Sequence, residues 1–302
     1  MSRAARLVAV AALPVGLLGC SGTATLVTPL DLVPADAIVV SELRFRIARA
    51  SRTLRPLTNS PQWPAELSKL GLSIDDLDTV VAFARSIGST GLREASLLVG
   101  NAYGVRLEQM SKINGWSRQA VDRHILYLIP GQAGTVAAVL NEDLVAVGPR
   151  NEVEHLLGSL QTIGGFVSKP ELDGVTDALR DESAVRLAVV WPENVSDASK
   201  AAVAASASVL GLAGYETAGS VLKQLGIGRA YVARMRPESA GVRVDLTGVL
   251  DDEATATMVA GSLSLLNGIA GLAQGGSTGM TIKRTGSVVS VAMTLPDNAF
   301  RR

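Results

Sequence analysis

Cysteine has the most specific chemistry of any residue in this chain, and it occurs once, at Cys20. A lone cysteine has no partner within the chain, so it cannot form an intramolecular disulfide. Cys20 follows Leu17, Leu18 and Gly19, at the end of an uncharged apolar run over residues 7–18. Its position in the chain is therefore the best guide to what this thiol does.

Other residues that could perform catalysis or bind metal lack the partners this chemistry needs. His124 falls in a predicted strand and His155 on a predicted helix, and neither has the i, i+4 histidine or nearby cysteines of a zinc site. Ser220 and Lys223 fit the S-x-x-K spacing of penicillin-binding enzymes, but their companion motifs are missing. The glycine clusters precede strands rather than helices, so they do not form phosphate loops. We predict no catalytic residue, no metal site and no cofactor.

Four arginines recur at steps of three along a predicted helix over residues 46–57: Arg46, Arg49, Arg52 and Arg55. On a helix, steps of three drift slowly around the surface, so these side chains would form a broad basic flank. One hypothesis is contact with anionic head groups or an anionic envelope polymer. The alternative is a solvated face without a specific partner.

The N-terminus resembles a bacterial lipoprotein signal. Arg3 and Arg6 give it a positive start, the apolar run over residues 7–18 is too short to span a bilayer, and Gly19 precedes Cys20. The resemblance implies a diacylglyceryl group on the Cys20 sulfur, cleavage between Gly19 and Cys20, and acylation of the new N-terminus. Stable anchoring to a membrane requires more than one acyl chain.

This resemblance implies a lipid anchor in the bacterial cell envelope, with the protein facing the periplasm or the cell surface. Ser21 stands where an aspartate would signal retention in the inner membrane, which favours the outer membrane. The alternatives are an ordinary secretory signal and an N-terminal membrane helix. Pro14 and Gly16 disfavour such a helix.

The composition predicts a folded protein and disfavours some classes of binding partner. Hydrophobic residues make up 47% of the chain and charged residues 19%, which is typical of a globular protein rather than a disordered one. The 28 basic and 28 acidic residues balance, so a nucleic-acid binder is not expected. Aromatic residues reach only 4%, which also disfavours sites that stack sugars or single-stranded bases.

The order of predicted strands and helices indicates an α+β protein with two similar modules. We predict a signal peptide over 1–19, a lipidated tether over 20–34, and modules over 35–165 and 170–298. Adjacent strands joined by short turns favour antiparallel pairing. Each module should then be a mainly antiparallel sheet with helices packed on one face.

The clearest strand pattern alternates apolar and polar residues: Val242, Arg243, Val244, Asp245, Leu246 and Thr247. A period of two predicts a half-buried edge strand with one apolar and one polar side.

Two helices rich in small residues are predicted over 198–213 and 254–273. The second is long enough to span a membrane and carries no charge, although several hydroxyl and amide side chains interrupt it. Its three interpretations are burial against the sheet, a lipid groove or oligomer interface, and membrane insertion.

Together these patterns predict a lipid-anchored envelope protein that acts as a non-enzymatic binding or structural module. The alternative is a periplasmic carrier of a lipid or another apolar ligand. A hydrolase is the third class, supported by the S-x-x-K spacing alone. The expected partners are the membrane, through Cys20, and anionic head groups or envelope proteins.

Overall fold

The structure is a computed structural model that describes residues 28–88, 91–121, 123–160, 165–193, 195, 221, 224–239, 241–273 and 279–295. Its strands are β1 Val39–Arg44, β2 Leu77–Gly88, β3 Gly91–Gly100, β4 Arg118–Val121, β5 His124–Leu128, β6 Thr135–Val139, β7 Leu144–Pro149, β8 Val185–Val190, β9 Ala230–Glu238, β10 Gly241–Val249, β11 Thr281–Thr285 and β12 Val288–Leu295. Its helices are α1 Phe45–Ala50, α2 Arg55–Thr58, α3 Gln62–Lys69, α4 Tyr103–Ile113, α5 Arg150–Ser159, α6 Asp177–Arg180 and α7 Glu253–Ala273.

The strands form a single sheet of twelve, in the order β11-β12-β10-β9-β8-β1-β2-β3-β7-β6-β5-β4. Every pairing in it is antiparallel. An α+β fold with a large antiparallel sheet is therefore confirmed. The strands of both predicted modules belong to this one sheet, because β1 pairs directly with β8 at its centre.

Helices lie on both faces of the sheet. Val153 and Leu156 of α5 pack on one face, here called the α5 face, where Leu97 is buried. On the other face, the α7 face, Leu107 of α4 packs on Leu98. The expectation of helices on one face is thus wrong for the strands from β2 to β7. Since neighbouring residues of β3 are both buried, that part of the sheet needs cover on both sides.

On the strands from β8 to β12, α7 covers only the α7 face. Ala256, Val259 and Leu263 of α7 join a core with the inward residues of β10 and β12. The helix starts at a cap in which the Thr255 backbone N–H donates to Asp252 Oδ1 at 2.7 Å. The predicted helix over 198–213 lies outside the described residues.

The predicted helix over 46–57 is interrupted at Ser51. Ser51 has an extended backbone, and its hydroxyl accepts a hydrogen bond from the Leu54 backbone N–H at 3.3 Å. A local bond of this kind competes with the helical ladder, so α1 ends and the chain turns before α2.

Part of the segment predicted as a tether belongs to the folded structure. Leu30 and Val33 are 4% and 0% exposed and belong to the core of the α5 face. Residues from Thr28 onward are thus part of the packed structure.

Candidate functional site

One row of directly paired residues crosses the sheet on the α5 face: Gln119, Leu126, Ala138, Ala146, Leu97, Val81, Glu42, Arg186, Arg234, Asp245, Ala292 and Thr281. From Leu126 to Val81 its members are apolar and fully buried. At β1 the row becomes charged. We call its four ionic members the charged row: Glu42, Arg186, Arg234 and Asp245.

A buried ion pair between Glu42 and Arg186 forms the inner end of the charged row. Their side chains are 4% and 3% exposed, and Arg186 Nη1 donates to Glu42 Oε2. Arg44 Nε donates to Glu42 Oε1 at 3.0 Å. Arg186 Nε is buried without a hydrogen bond and lies 3.5 Å from Asp181 Oδ1. Breaking such a pair would leave an uncompensated charge in the core.

Asp181, which follows α6, joins the buried pair to the next strand. It accepts from the Ser183 hydroxyl, from the Ser183 backbone N–H at 3.0 Å, and from Arg234 Nη1 at 2.8 Å. Burial alone would raise the pKa of Asp181. The bonds from Ser183 and the positive charges of Arg234 and Arg186 outweigh burial, so this pKa lies below its ordinary value.

Asp245 is the carboxylate at the outer end of the charged row. It accepts from Arg236 Nη2 at 2.8 Å and from Arg243 Nε at 2.9 Å, and Arg234 Nη2 lies 3.7 Å away. The hydrogen bond and the charge of Asp245 raise the pKa of Arg243. These contacts hold the three guanidinium groups in fixed positions beside one another.

Beyond Asp245 the sheet face opens into a depression of about 360 Å³, here called the charged groove. It is lined by Arg234, Arg243, Asp245, Thr247, Thr281, Lys283, Ser290, Val291 and Ala292. Three cations and one carboxylate line it, and three side chains contribute hydroxyl groups. An arrangement of this kind is suited to holding an anion.

The four arginines of the predicted basic flank do not act together. Arg49 turns inward, with its guanidinium 5.2 Å above the Phe45 ring and Nη1 donating to the Asp75 carbonyl at 3.4 Å. Arg55 Nε donates to the Arg49 carbonyl at 3.1 Å. Arg46, Arg52 and Arg55 are exposed. Because α1 ends before Arg52, the four side chains do not lie on one helix, and Arg46 and Arg52 are the pair without the backbone contacts described for Arg49 and Arg55.

Several residues named from the sequence lie outside the described residues, namely Gly19, Cys20, Ser220 and Lys223. The part of the chain that the structure describes contains no group of three His, Cys, Asp or Glu residues able to hold a metal ion. His124 lies in β5, paired with Val121.

His155 contributes to a second ionic cluster, which fastens the start of the fold to α5. His155 Nε2 lies 3.1 Å from Asp36 Oδ1. Arg85 bridges the two elements, with Nη1 2.9 Å from Asp36 and Nε 2.8 Å from Glu152. These contacts bind residues of the fold to one another.

The outer side of α7 exposes two large apolar side chains. Met258 and Leu265 are 62% and 71% exposed on the side away from the core. Across the described residues, no helix combines the length and hydropathy needed to cross a membrane.

Sequence reasoning found one strand of the site but not the site itself. The polar side of residues 242–247 was visible as an alternation, yet β10 lies between β9 and β12 and is not an edge strand. Lys283 and Ser290 carry no motif that would mark them as site residues. Their approach to Thr247 depends on strand register, which no local pattern in the sequence reveals.

These features define an α+β protein with a large antiparallel sheet and an open, charged surface at one side. No family model matches the chain, and no curated protein matches it. Crystal form III of TP0453 is similar over 90% of this chain and 96% of that chain, with 13% identity and a TM-score of 0.50. Crystal form I of TP0453 covers 90% and 94%, with 11% identity and a TM-score of 0.49. At 13% identity the likeness to crystal form III concerns the fold alone.

Proposed function

We propose that the protein is a lipid-anchored bacterial cell-envelope protein that acts as a non-enzymatic binding module. The N-terminal signal pattern ending at Cys20 supports the anchor. The absence of aspartate at position 21, where Ser21 stands, supports the outer membrane. Thr28, the first residue that the structure describes, comes eight positions after Cys20, so the packed residues that follow it stay within reach of the proposed attachment point.

The observation that carries the binding role is the charged groove. Its arginines are held in place by the buried Asp245 and the half-buried Asp181, and no described helix packs over it. Polar side chains on a sheet face that no described helix covers can meet a ligand without rearranging a core. Its lining contains hydroxyls and cations but no histidine or cysteine to activate a nucleophile, which supports binding rather than catalysis.

We also propose that the two halves are similar modules over residues 35–165 and 170–298. In each half the strands run outward from the centre in the same order. These strands are β1, β2, β3 and β7 in one half and β8, β9, β10 and β12 in the other. A helix follows the third strand in both, α4 in one and α7 in the other. The antiparallel contact of β1 with β8 suits two copies related by an approximate two-fold axis.

Metabolic labelling with a palmitate analogue in a bacterial host tests the anchor. We expect the wild-type chain to be labelled and to fractionate with the outer membrane, and Cys20→Ala to lose both properties. Ser21→Asp, which leaves the cysteine intact, should stay labelled and move to the inner membrane. A chain that reaches the membrane without label would contradict lipid attachment.

For the proposed contact with anionic head groups, the candidate residues are now Arg46 and Arg52. Removing both charges, as Arg46→Gln with Arg52→Gln, should weaken binding of a Cys20→Ala chain to anionic vesicles. The matched control is Lys112→Gln with Arg123→Gln, which removes two exposed charges from other elements. Equal binding by the two double variants would reject the contact.

The exposed apolar side of α7 favours a second function, carriage of a lipid or another apolar ligand. Met258 and Leu265 would then contact the ligand. Native mass spectrometry of the purified chain should detect a co-purified lipid if this function holds, and Leu265→Ser should reduce its amount. Protein masses without adduct would reject the carrier.

A further inference from the structure

We infer that the charged groove binds a tetrahedral oxyanion, a phosphate or sulfate group carried on a small molecule or on a lipid head group. The inference rests on the proposed binding function and names the ligand class for the same groove.

The groove carries an excess of positive charge. Arg234, Arg243 and Lys283 line it against Asp245. Arg236 and Asp181 lie just outside the lining and add one positive and one negative charge. Arg236 contacts both Asp181 and Asp245. Glu238 at the rim lies 4.0 Å from Arg243 Nη1 and offsets part of the excess. The remaining positive charge favours a ligand that carries at least one negative charge.

Lys283 has the position expected of a ligand contact. It is exposed on β11, and strand register pairs it with Ser290, which in turn pairs with Thr247. Thr247 Oγ1 lies 3.3 Å from Ser290 Oγ. The ammonium of Lys283 and the hydroxyls of Ser290 and Thr247 therefore belong to neighbouring paired residues on three adjacent strands. A lysine on an edge strand also discourages strand addition, but that role does not require the hydroxyls beside it.

The floor of the groove is lowered by a small residue. Ala292 pairs with Asp245 on one side and Thr281 on the other, so its methyl group lies between two longer side chains. This accounts for a depression at the centre of otherwise large polar residues. The volume of about 360 Å³ lies at the small end of ligand pockets.

The donors suit a tetrahedral oxyanion better than a single carboxylate. Arg243 uses Nε for Asp245, and Arg234 uses Nη1 for Asp181, which leaves further guanidinium N–H groups. With the ammonium of Lys283 and the hydroxyls of Thr247, Thr281 and Ser290, the donors come from four strands. Several oxygens of one phosphate or sulfate group can be satisfied from these directions at once.

Calorimetric titration of inorganic phosphate into the Cys20→Ala full chain tests the site. We expect saturable binding with a Kd of about 1 mM, weakened at least about tenfold in Lys283→Gln, since a charge-assisted hydrogen bond is lost. Arg284→Gln is the matched control, because this exposed neighbour on β11 points to the other face and donates to the Gly286 carbonyl at 3.1 Å. It should change the Kd by less than about twofold.

Vesicles distinguish the two sources of the oxyanion. We compare phosphatidylcholine vesicles with and without phosphatidylglycerol, and add inorganic phosphate as competitor. Binding that needs phosphatidylglycerol, is displaced by phosphate and is lost in Lys283→Gln supports the head-group source. Phosphate binding without vesicle binding supports a soluble ligand.

Two results would overturn the inference: no saturable phosphate binding to the wild-type chain, or equal weakening in Lys283→Gln and Arg284→Gln. Palmitate labelling tests lipid attachment at Cys20 and does not depend on the groove. A failed titration with normal labelling therefore rejects the oxyanion site while leaving the proposed lipid-anchored protein intact.

Discussion

The same row of paired residues has two chemical characters on the two sides of the central strands. Toward β5 it is apolar and sealed beneath α5, with Leu97 and Val81 fully buried. Toward β10 it is ionic and ends in an open groove. One sheet therefore supplies both a hydrophobic layer and a polar surface, and the change falls at Glu42 on β1.

This contrast shows how a sheet can present a charged face without losing its core. On β10 the apolar residues Val242, Val244 and Leu246 are fully buried beneath α7, on the opposite face. The burial of that face stabilises the strands, which leaves the α5 face free to carry charges. Carboxylates then fix the arginines, so the surface is both polar and ordered.

The strongest test of the contrast removes one partner of the buried ion pair. Arg186→Met should lower the free energy of unfolding by about 3–5 kcal/mol, because Glu42 is left buried with only Arg44 to compensate it. Urea unfolding followed by circular dichroism measures the change. The double variant Glu42→Leu with Arg186→Met should be much less destabilised than the single one. A loss below about 1 kcal/mol in Arg186→Met would mean that the pair is not a buried unit.

The apolar side of the same row should respond through packing alone. Leu97→Ala should lower the free energy of unfolding by about 2–5 kcal/mol by leaving a cavity beneath α5, with the same loss at pH 4 and pH 7. Leu128→Ala, at a half-exposed position on β5, is the control and should stay within about 0.5 kcal/mol. If the loss of stability in Leu97→Ala depended strongly on pH, packing alone would not explain the stability of the apolar side.

Acid should weaken the ionic side through Asp181. The pKa of Asp181 is lowered in the folded protein, so its stabilisation is present above the unfolded-state pKa and disappears as pH falls through the folded pKa. Asp181→Asn should therefore cost about 1–2 kcal/mol at pH 7 and progressively less below about pH 4.

Urea unfolding across this pH range measures the effect of Asp181→Asn. Asp177→Asn, at an exposed position on α6, serves as the control. A constant difference between wild type and Asp181→Asn down to pH 2 would show that the ionised carboxylate is not what stabilises this side.

The smallest effects should be equal on the two sides, because they depend on local backbone geometry. Gly134 precedes β6 and Gly286 joins β11 to β12, with φ of 81° and 57°. Replacing either by alanine should cost about 1 kcal/mol, the usual penalty for a side chain in the left-handed region. Thermal unfolding of both variants measures the difference. Unequal losses would show that tertiary contacts, and not φ alone, set the cost.

Local patterns in the sequence predicted much of the fold. The long helix predicted over 254–273 corresponds to α7, Glu253–Ala273, and the alternation over 242–247 lies within β10. Gly71 after α3 has a φ of +69°, as its position beyond the helix predicts. The alternation over residues 242–247 predicted which side of β10 is polar.

The parts that escaped prediction depend on contacts between distant residues. Glu42 and Arg186 are separated by 144 positions, so only the pairing of β1 with β8 brings them together. The break at Ser51 depends on a single side-chain bond that helix periodicity does not reveal. The four arginines predicted to share one helix flank are divided between two helices and the turn between them, because α1 ends at Ala50.

If the protein is anchored through Cys20 as proposed, the eight positions between Cys20 and Thr28 would set the local concentration of the groove at the membrane. Eight peptide units reach at most about 28 Å, so a lipid on Cys20 would confine the fold to a thin layer above the membrane. Short tethers produce effective concentrations in the millimolar range. A millimolar site would then be substantially occupied by a ligand in the same membrane, while releasing it quickly. Anchoring would thus convert weak recognition into a reversible, position-dependent interaction.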